Sequence, residues 1–211
     1  VGGVVEVGRI TSDSMLRQPS RPSLGIATIG GVSSYDPAPA LNVVDVQNDF
    51  ADPAGGRAVP GGAEVIPVIN DQIQAALAAG GTVFYTQDWH PPSTPHFEKD
   101  GGLWPVHCVA DTWGAQLHPD LRVEGPIVRK GVHGEDGYSG FTTRDPETGE
   151  TRPTELHDLL EAAGVEKLVV VGLATDYCVL ATALDARTRG YPTTVPAAAV
   201  RAVDLQPGDG E

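Results

Sequence analysis

Cysteine is scarce in this chain: Cys108 and Cys178 are the two among 211 residues. Two thiols cannot build the multi-bridge framework that staples small secreted domains. Basic residues are scarce too, 14 against 28 acidic ones, for a net charge of -14. No Lys/Arg cluster offsets that excess, which excludes the phosphate-neutralising surface a nucleic-acid partner needs. Long apolar runs are missing as well. No stretch approaches the ~20 consecutive apolar residues that span a bilayer. What remains is an ordinary globular balance, 40% apolar and 20% charged, in a length that suits one domain with a sizeable core. Cys108 adjoins His107, and Cys178 lies two residues past Asp176. Reactivity rather than bridging is therefore expected of them, in a reducing cytoplasm.

Residues 1–40 are rich in Gly, Ser and Pro, lack sustained periodicity, and are expected to form a flexible or atypical N-terminal extension. Residues 24–32, ahead of Ala38-Pro39-Ala40, have the outline of a secretory leader. Gly25, Gly30 and Gly31 leave that run too weakly hydrophobic for the role. Residues 41–211 read as one domain. Strands are predicted over 41–46, 82–87, 126–130, 167–171 and, more weakly, 191–195. A helix is predicted over 62–79, where Val65, Ile66, Ile69, Ile73, Ala76 and Leu77 recur at helical spacing before Gly80-Gly81. Further helices are predicted over 154–163, stopped by Gly164, and over 176–189. Short apolar strands alternating with helices imply the α/β class: an open, mainly parallel sheet with helices on both faces, a three-layer α/β/α sandwich. Asn42 is a polar intrusion into the first of these strands.

In such a sheet, ligands bind beyond the carboxyl ends of the strands, and reactive residues gather there. Asp45 closes the first strand, Asp88 and His90 follow the second, Lys130 closes the third, and Cys178 follows the fourth across Gly172-Leu173-Ala174-Thr175-Asp176. Asp88, His90, His96 and His107 put one carboxylate and three imidazoles between positions 88 and 107. Asp88 and His90, two apart after an extended run, share one side of the chain. A mixed oxygen and nitrogen set suits zinc, iron or manganese and disfavours calcium or magnesium. Cys178, in the first turn of its helix, is expected to gain thiolate character from free N–H groups and the helix dipole. Asp45 is then the candidate to manage its proton, with Lys130 holding both groups in place. Phe50, Trp104 and Tyr138 fall in loops after the strands and could shape a small flat pocket. Trp89 and Trp113 are expected to be packing residues, His118, His133 and His157 surface residues, and Asp49 a local hydrogen-bonding residue.

Taken in order, Asp45-Val46-Gln47-Asn48-Asp49-Phe50, Val59-Pro60-Gly61-Gly62, Asp88-Trp89-His90, Trp104-Pro105-Val106-His107-Cys108, Lys130-Gly131 and Gly172-Leu173-Ala174-Thr175-Asp176-Tyr177-Cys178 resemble the nicotinamidase (pyrazinamidase) family. This is the metal-containing branch of the isochorismatase-like cysteine hydrolases, and the likeness runs from about residue 41 to 211. It implies hydrolysis of nicotinamide, and of pyrazinamide, to the acid plus ammonia through a thioester on Cys178, in salvage of NAD. Asp45 would take the thiol proton and pass it to ammonia, and Lys130 would complete the catalytic set. Backbone N–H groups of Ala174 and Cys178 would form the oxyanion hole, helped by a cis bond between Leu173 and Ala174. One divalent transition metal on Asp88, His90 and His107, with His96 as a further ligand, would bind the pyridine nitrogen, and Phe50, Trp104 and Tyr138 would border the ring. The implied partner is a small molecule, and self-association into a homo-oligomer stays open. The alternative is another isochorismatase-like hydrolase acting on a different small amide or on isochorismate. Residues 1–40 have no counterpart in the family pattern. That pattern continues by one more helix and strand past residue 211, so a C-terminally shortened sheet is expected. Pro196-Ala197-Ala198-Ala199 stands where a polar residue is usual.

Overall fold

Side-chain alternation along two central strands decides which residues face each layer. A computed structural model describes residues 4–5 and 39–210; the run at 24–32 and most of the expected extension lie outside the described residues. The strands are β1 (Val4–Val5), β2 (Ala40–Val44), β3 (Val83–Asp88), β4 (Ile127–Lys130), β5 (Thr142–Arg144), β6 (Thr151–Pro153), β7 (Leu168–Leu173), β8 (Thr193–Pro196) and β9 (Val200–Arg201). The helices are α1 (Asn48–Ala51), α2 (Ile66–Ala78), α3 (Leu156–Ala162) and α4 (Leu180–Thr188). Successive side chains on a strand point to opposite faces. Ala40 and Val44 of β2, Phe84 of β3 and Val170 of β7 accordingly pack with Leu156 and Leu160 of α3 and Ala183 and Ala186 of α4. Leu41 and Val43, Val83 and Tyr85, and Val171 and Leu173 point the other way, onto Ile66, Ile69 and Ile73 of α2. Helices therefore cover both faces, as expected. Each buried isoleucine of α2 contributes roughly 1.5–3 kcal/mol through the apolar area it removes from water.

The sheet runs β1-β8-β7-β2-β3-β4. Every pairing in it is parallel except that of β1 with β8. β8 pairs with the start of β7, at Leu168 and Val169, and β9 with its end, at Gly172 and Leu173. A 3-10 turn over Ala197–Ala199 joins β8 to β9. The strand expected at 191–195 thus forms two residues later, at Thr193–Pro196. The helix expected from 62 begins as a 3-10 turn, Gly62–Val65, and becomes α-helical at Ile66 with Pro67 in its first turn. The helix expected from 176 begins as a π-type turn over Thr175–Val179 before α4. Helix α1, the β5–β6 hairpin and β9 were not predicted. Among the described residues no helix is long and apolar enough to cross a membrane.

Asn42 sits in β2 between Phe84 and Val170, its partners on the flanking strands, with no exposed surface. Neither amide atom of its side chain has a hydrogen-bond partner. An unsatisfied buried amide costs ~1–3 kcal/mol. Replacing it with a β-branched apolar residue of similar size is therefore expected to stabilise the protein. Asn42→Val should raise the unfolding free energy by roughly 1–2 kcal/mol, seen as a higher urea midpoint at unchanged slope. A lower midpoint would show that the amide has a partner in solution.

Candidate active site

The parallel strands deliver four reactive groups to one edge. Asp45, just past β2, adopts a positive φ of 48° that turns its carboxylate inward. Its Oδ1 accepts a hydrogen bond from Thr86 Oγ1 at 2.7 Å. Its Oδ2 lies 3.0 Å from Lys130 Nζ but makes no well-directed hydrogen bond there. Lys130, the last residue of β4, also donates to Asp88 Oδ1 and reaches Cys178 Sγ at 3.6 Å. Asp45, Asp88 and Cys178 offer atoms within 4.8 Å of one another, all buried. The groups expected to converge at the strand ends, Asp45, Asp88, Lys130 and Cys178, do meet there.

Loops build the second half of the site. His90 N donates to Cys108 O at 2.9 Å and Ala110 N to His90 O at 2.8 Å, which lays residues 107–110 alongside 88–90. Trp104 N donates to His96 O at 3.2 Å and Glu98 N to Trp104 O at 2.7 Å, folding 96–98 onto 104. The result is a trio of buried imidazoles, His90, His96 and His107, whose ring nitrogens lie within 4.8 Å of one another. Gly131, at φ +76°, passes beneath this trio, and a Cβ there would come within 2.5 Å of His90 Nδ1. Gln47 steadies the junction between the two halves. Its Nε2 donates to Asp88 O at 2.7 Å and its Oε1 accepts from Asp88 N at 2.8 Å. Asp49 accepts from Cys108 N at 2.6 Å and Gly56 N at 2.8 Å, the local role expected of it.

The donor set fits a transition metal. His96 Nδ1 is engaged by Asp136 Oδ1 at 2.8 Å, and His107 Nδ1 by Pro105 O at 2.7 Å. Each imidazole keeps Nε2 free to ligate, the usual outer-shell arrangement of metal-binding histidines. His90 is buried with neither nitrogen hydrogen-bonded, and a bound cation would satisfy one of them. Asp88 stands at the border, its Oδ2 3.9 Å from His90 Nε2.

Burial raises both carboxylates, and the charges around them set them apart. Desolvation would raise Asp88, but Lys130, His90 and His107 outweigh it and hold the carboxyl at about 2. Desolvation dominates at Asp45 and raises it, with Lys130 opposing. The Cys178 thiol is also pushed well above its ordinary value, by burial first, with Asp45 and Asp88 adding to the effect against Lys130. This runs against the expected thiolate: burial and the two neighbouring carboxylates favour the thiol, with Lys130 alone opposing them. Burial likewise lowers His90, to about 4, and keeps its imidazole neutral and able to bind a cation.

A pocket of about 420 Å³, open mouth included, connects both halves. Cys178, Ala174, Asp88, His96 and His107 line it, with Phe50, Trp104 and Tyr138 as expected. The Leu173–Ala174 peptide is cis, as the resemblance implied. Sequence reasoning missed Tyr177, Arg57 and Val203 in the lining, and also Thr86, Gln47 and Asp136, which hold reactive side chains. Tyr177 adjoins Cys178 and could have been found by extending the turn one residue. Two expectations fail. Trp113 is 52% exposed rather than packed, and His118 is buried, its Nδ1 accepting from Asp120 N at 3.2 Å. Trp89 is buried under the Arg129 guanidinium as expected, His133 is exposed, and His157 is half-buried against Tyr191.

Residues 39–209 match the isochorismatase domain family. This chain belongs to that family. Among its isochorismatase-family relatives is the nicotinamidase of Escherichia coli, 38% identical over 192 residues, covering 82% of this chain and 87% of that protein. Two solved structures overlay on it. One is a pyrazinamidase of Pyrococcus horikoshii in complex with zinc, at 38% identity and TM-score 0.72, covering 82% of this chain and 90% of that one. The other, from L. infantum and in complex with nicotinate, has 36% identity and TM-score 0.72, covering 82% and 85%.

A thiol with a raised pKa alkylates slowly at neutral pH. Iodoacetamide labelling of Cys178 should keep accelerating as the pH passes the ~8.5 of a free cysteine. A plateau below pH 8 would show that the thiolate forms easily at this site.

Proposed function

We propose that this protein is a metal-dependent nicotinamidase, hydrolysing nicotinamide, and pyrazinamide, to the carboxylic acid and ammonia. The single observation that carries the reading is the shared pocket. A sulfur held between a lysine and two carboxylates opens into the same small aromatic-lined cavity as two of three clustered imidazoles. A flat heteroaromatic carboxamide is the ligand that can use both ends at once.

In this mechanism the Cys178 thiol surrenders its proton to Asp45 as sulfur bonds to the amide carbon. The raised affinity of Asp45 for a proton suits it to that task and to returning the proton to the leaving nitrogen. The C–N bond breaks, ammonia leaves, and a thioester remains. Water then attacks the thioester, Asp45 takes its proton, and the acid departs as the thiol is restored. Lys130 keeps Asp88 ionised and orients Asp45 throughout. Backbone N–H groups of Ala174 and Cys178 would stabilise the oxyanion, each such donor typically contributing ~10²–10³ in turnover. Asp88, His90, His96 and His107 would hold one zinc, iron or manganese ion. Bound there, the ion supplies a Lewis-acidic anchor for the ring nitrogen. Phe50, Trp104 and Tyr138 border the ring. Both cysteines are free, which supports a reducing, cytoplasmic setting, and the acid product suits a place in NAD salvage.

Ammonia release from nicotinamide tests the reading. Wild type should turn over, Cys178→Ala should fall by roughly 10⁴-fold or more, and verified metal removal should abolish turnover reversibly. Full activity in Cys178→Ala would falsify the thioester route. Ammonia from other small amides but none from nicotinamide would favour a sibling isochorismatase-like hydrolase. The contact between Asp136 and His96 gives a separate readout. Asp136→Ala, which releases His96 Nδ1, should weaken zinc binding on the order of 10–100-fold in competition with a chromophoric chelator. Unchanged zinc affinity would remove His96 from the ligand set.

A further inference from the structure

Among the described residues lining the pocket, Arg57 is the only arginine or lysine. Its backbone is held firmly: Arg57 N donates to Asp49 O at 3.1 Å and Val59 N to Phe50 O at 2.8 Å. The preceding Gly56 donates to Asp49 Oδ1 at 2.8 Å, and a Cβ on it would meet Val106 O at 2.6 Å. The guanidinium is therefore delivered by a pinned loop. Its Cζ stands 4.9 Å from the Trp104 ring centroid, and that ring is fixed in turn by its Nε1 donating to Tyr138 Oη at 3.1 Å. Arg57 Nε is buried with no hydrogen-bond partner. No ion pair joins Arg57 to another described residue.

A preorganised guanidinium stacked on an aromatic wall, with an unfilled donor, suits a planar anion. The chain's net charge of -14 makes such a group conspicuous. At the pocket wall its cation locally offsets the chain's repulsion of anions. The neutral carboxamide gains little from a cation at the wall, whereas the carboxylate formed by hydrolysis gains directly. We propose that Arg57 is a specificity-determining residue that makes this pocket favour aromatic carboxylates over the corresponding carboxamides, so that the acid product is retained after hydrolysis. The inference deepens the nicotinamidase reading and rests on it for the identity of the ring.

The test is calorimetric titration of nicotinate and of nicotinamide into zinc-loaded Cys178→Ala, alone and combined with Arg57→Met or Arg57→Lys. The methionine keeps an apolar stem over Trp104, and the lysine keeps the charge. The preference for nicotinate over nicotinamide should fall on the order of 2–5-fold with methionine, the range of a partly exposed charge pair. It should largely survive with lysine, and added salt should erode it wherever the cation is present. An unchanged ratio with methionine, or equal weakening of both ligands, overturns the role of Arg57 and leaves only packing against Trp104. Binding of neither ligand to the Cys178→Ala parent overturns the pocket assignment together with this inference. A shifted ratio in a protein whose wild type releases no ammonia from nicotinamide upholds Arg57 and defeats only the substrate reading.

Discussion

Lys130 is almost wholly removed from water, with two carboxylates and a thiol around it, and the rest of the site follows from what that burial requires. At 3.0 Å from Asp45 and an effective dielectric near 20, a unit charge pair is worth roughly 5 kcal/mol. Stripping each ion of water costs several kcal/mol. One carboxylate would leave the ammonium close to break-even, and the second tips the balance, which is why Lys130 holds its proton well beyond the usual lysine range. The same balance cannot also support a third anion. Asp88 takes the full benefit of the cation, Asp45 is raised, and Cys178 stays protonated. Two carboxyl groups flanking one ammonium thus acquire opposite characters, one held ionised and the other with a raised affinity for a proton.

Placing those groups takes strands, and placing the histidines takes loops. Parallel order puts the ends of β2, β3, β4 and β7 side by side, so Asp45, Asp88, Lys130 and the turn before Cys178 meet without any long excursion of the chain. Loops lack that ladder, and their backbone groups need other partners. Here polar side chains serve. Gln47 clamps both backbone groups of Asp88, Asp49 gathers the loops at residues 56 and 108, and Asp136 seats His96. None of these side chains needs to touch a substrate to matter. Each fixes a neighbour that would otherwise swing by more than the few tenths of an ångström a metal or a nucleophile tolerates.

How much of this was legible in the sequence depended on the range of the interaction. Strand ends and helical stripes are local patterns, and Asp45, Lys130, Cys178, the stripe of α2 and the two-sided sheet were all readable from them. The cluster at positions 88 to 107 was readable from composition and spacing. Contacts across the sequence were not. Gln47 meets Asp88 across 41 residues and His96 meets Asp136 across 40, and nothing local to Gln47 or Asp136 announces the partner. His118 looked like a surface residue because a lone histidine usually is one, yet its backbone N–H docks on Val46 O and carries the ring inside. Trp113 looked like a core residue by the converse prior, and a loop leaves it exposed. The burial that favours the Cys178 thiol was not legible, because sequence shows where a helix starts but not how much water is lost around it.

Asp88 shows why the two halves of the site cannot be varied independently. One of its oxygens serves the ammonium that restrains Asp45 and Cys178, and the other faces His90 at 3.9 Å. Neutralising it would leave Lys130 with a single carboxylate and deprive the imidazole cluster of its negative charge in the same step. If the histidines hold a cation, as proposed, it would draw on Asp88 and leave more of the Lys130 charge to the sulfur 3.6 Å away. Under the proposed reading, the two ends of the pocket would therefore be linked through one carboxylate, whose backbone Gln47 pins in place. Such a link would need only electrostatics over a few ångströms, because the shared carboxylate already touches both groups.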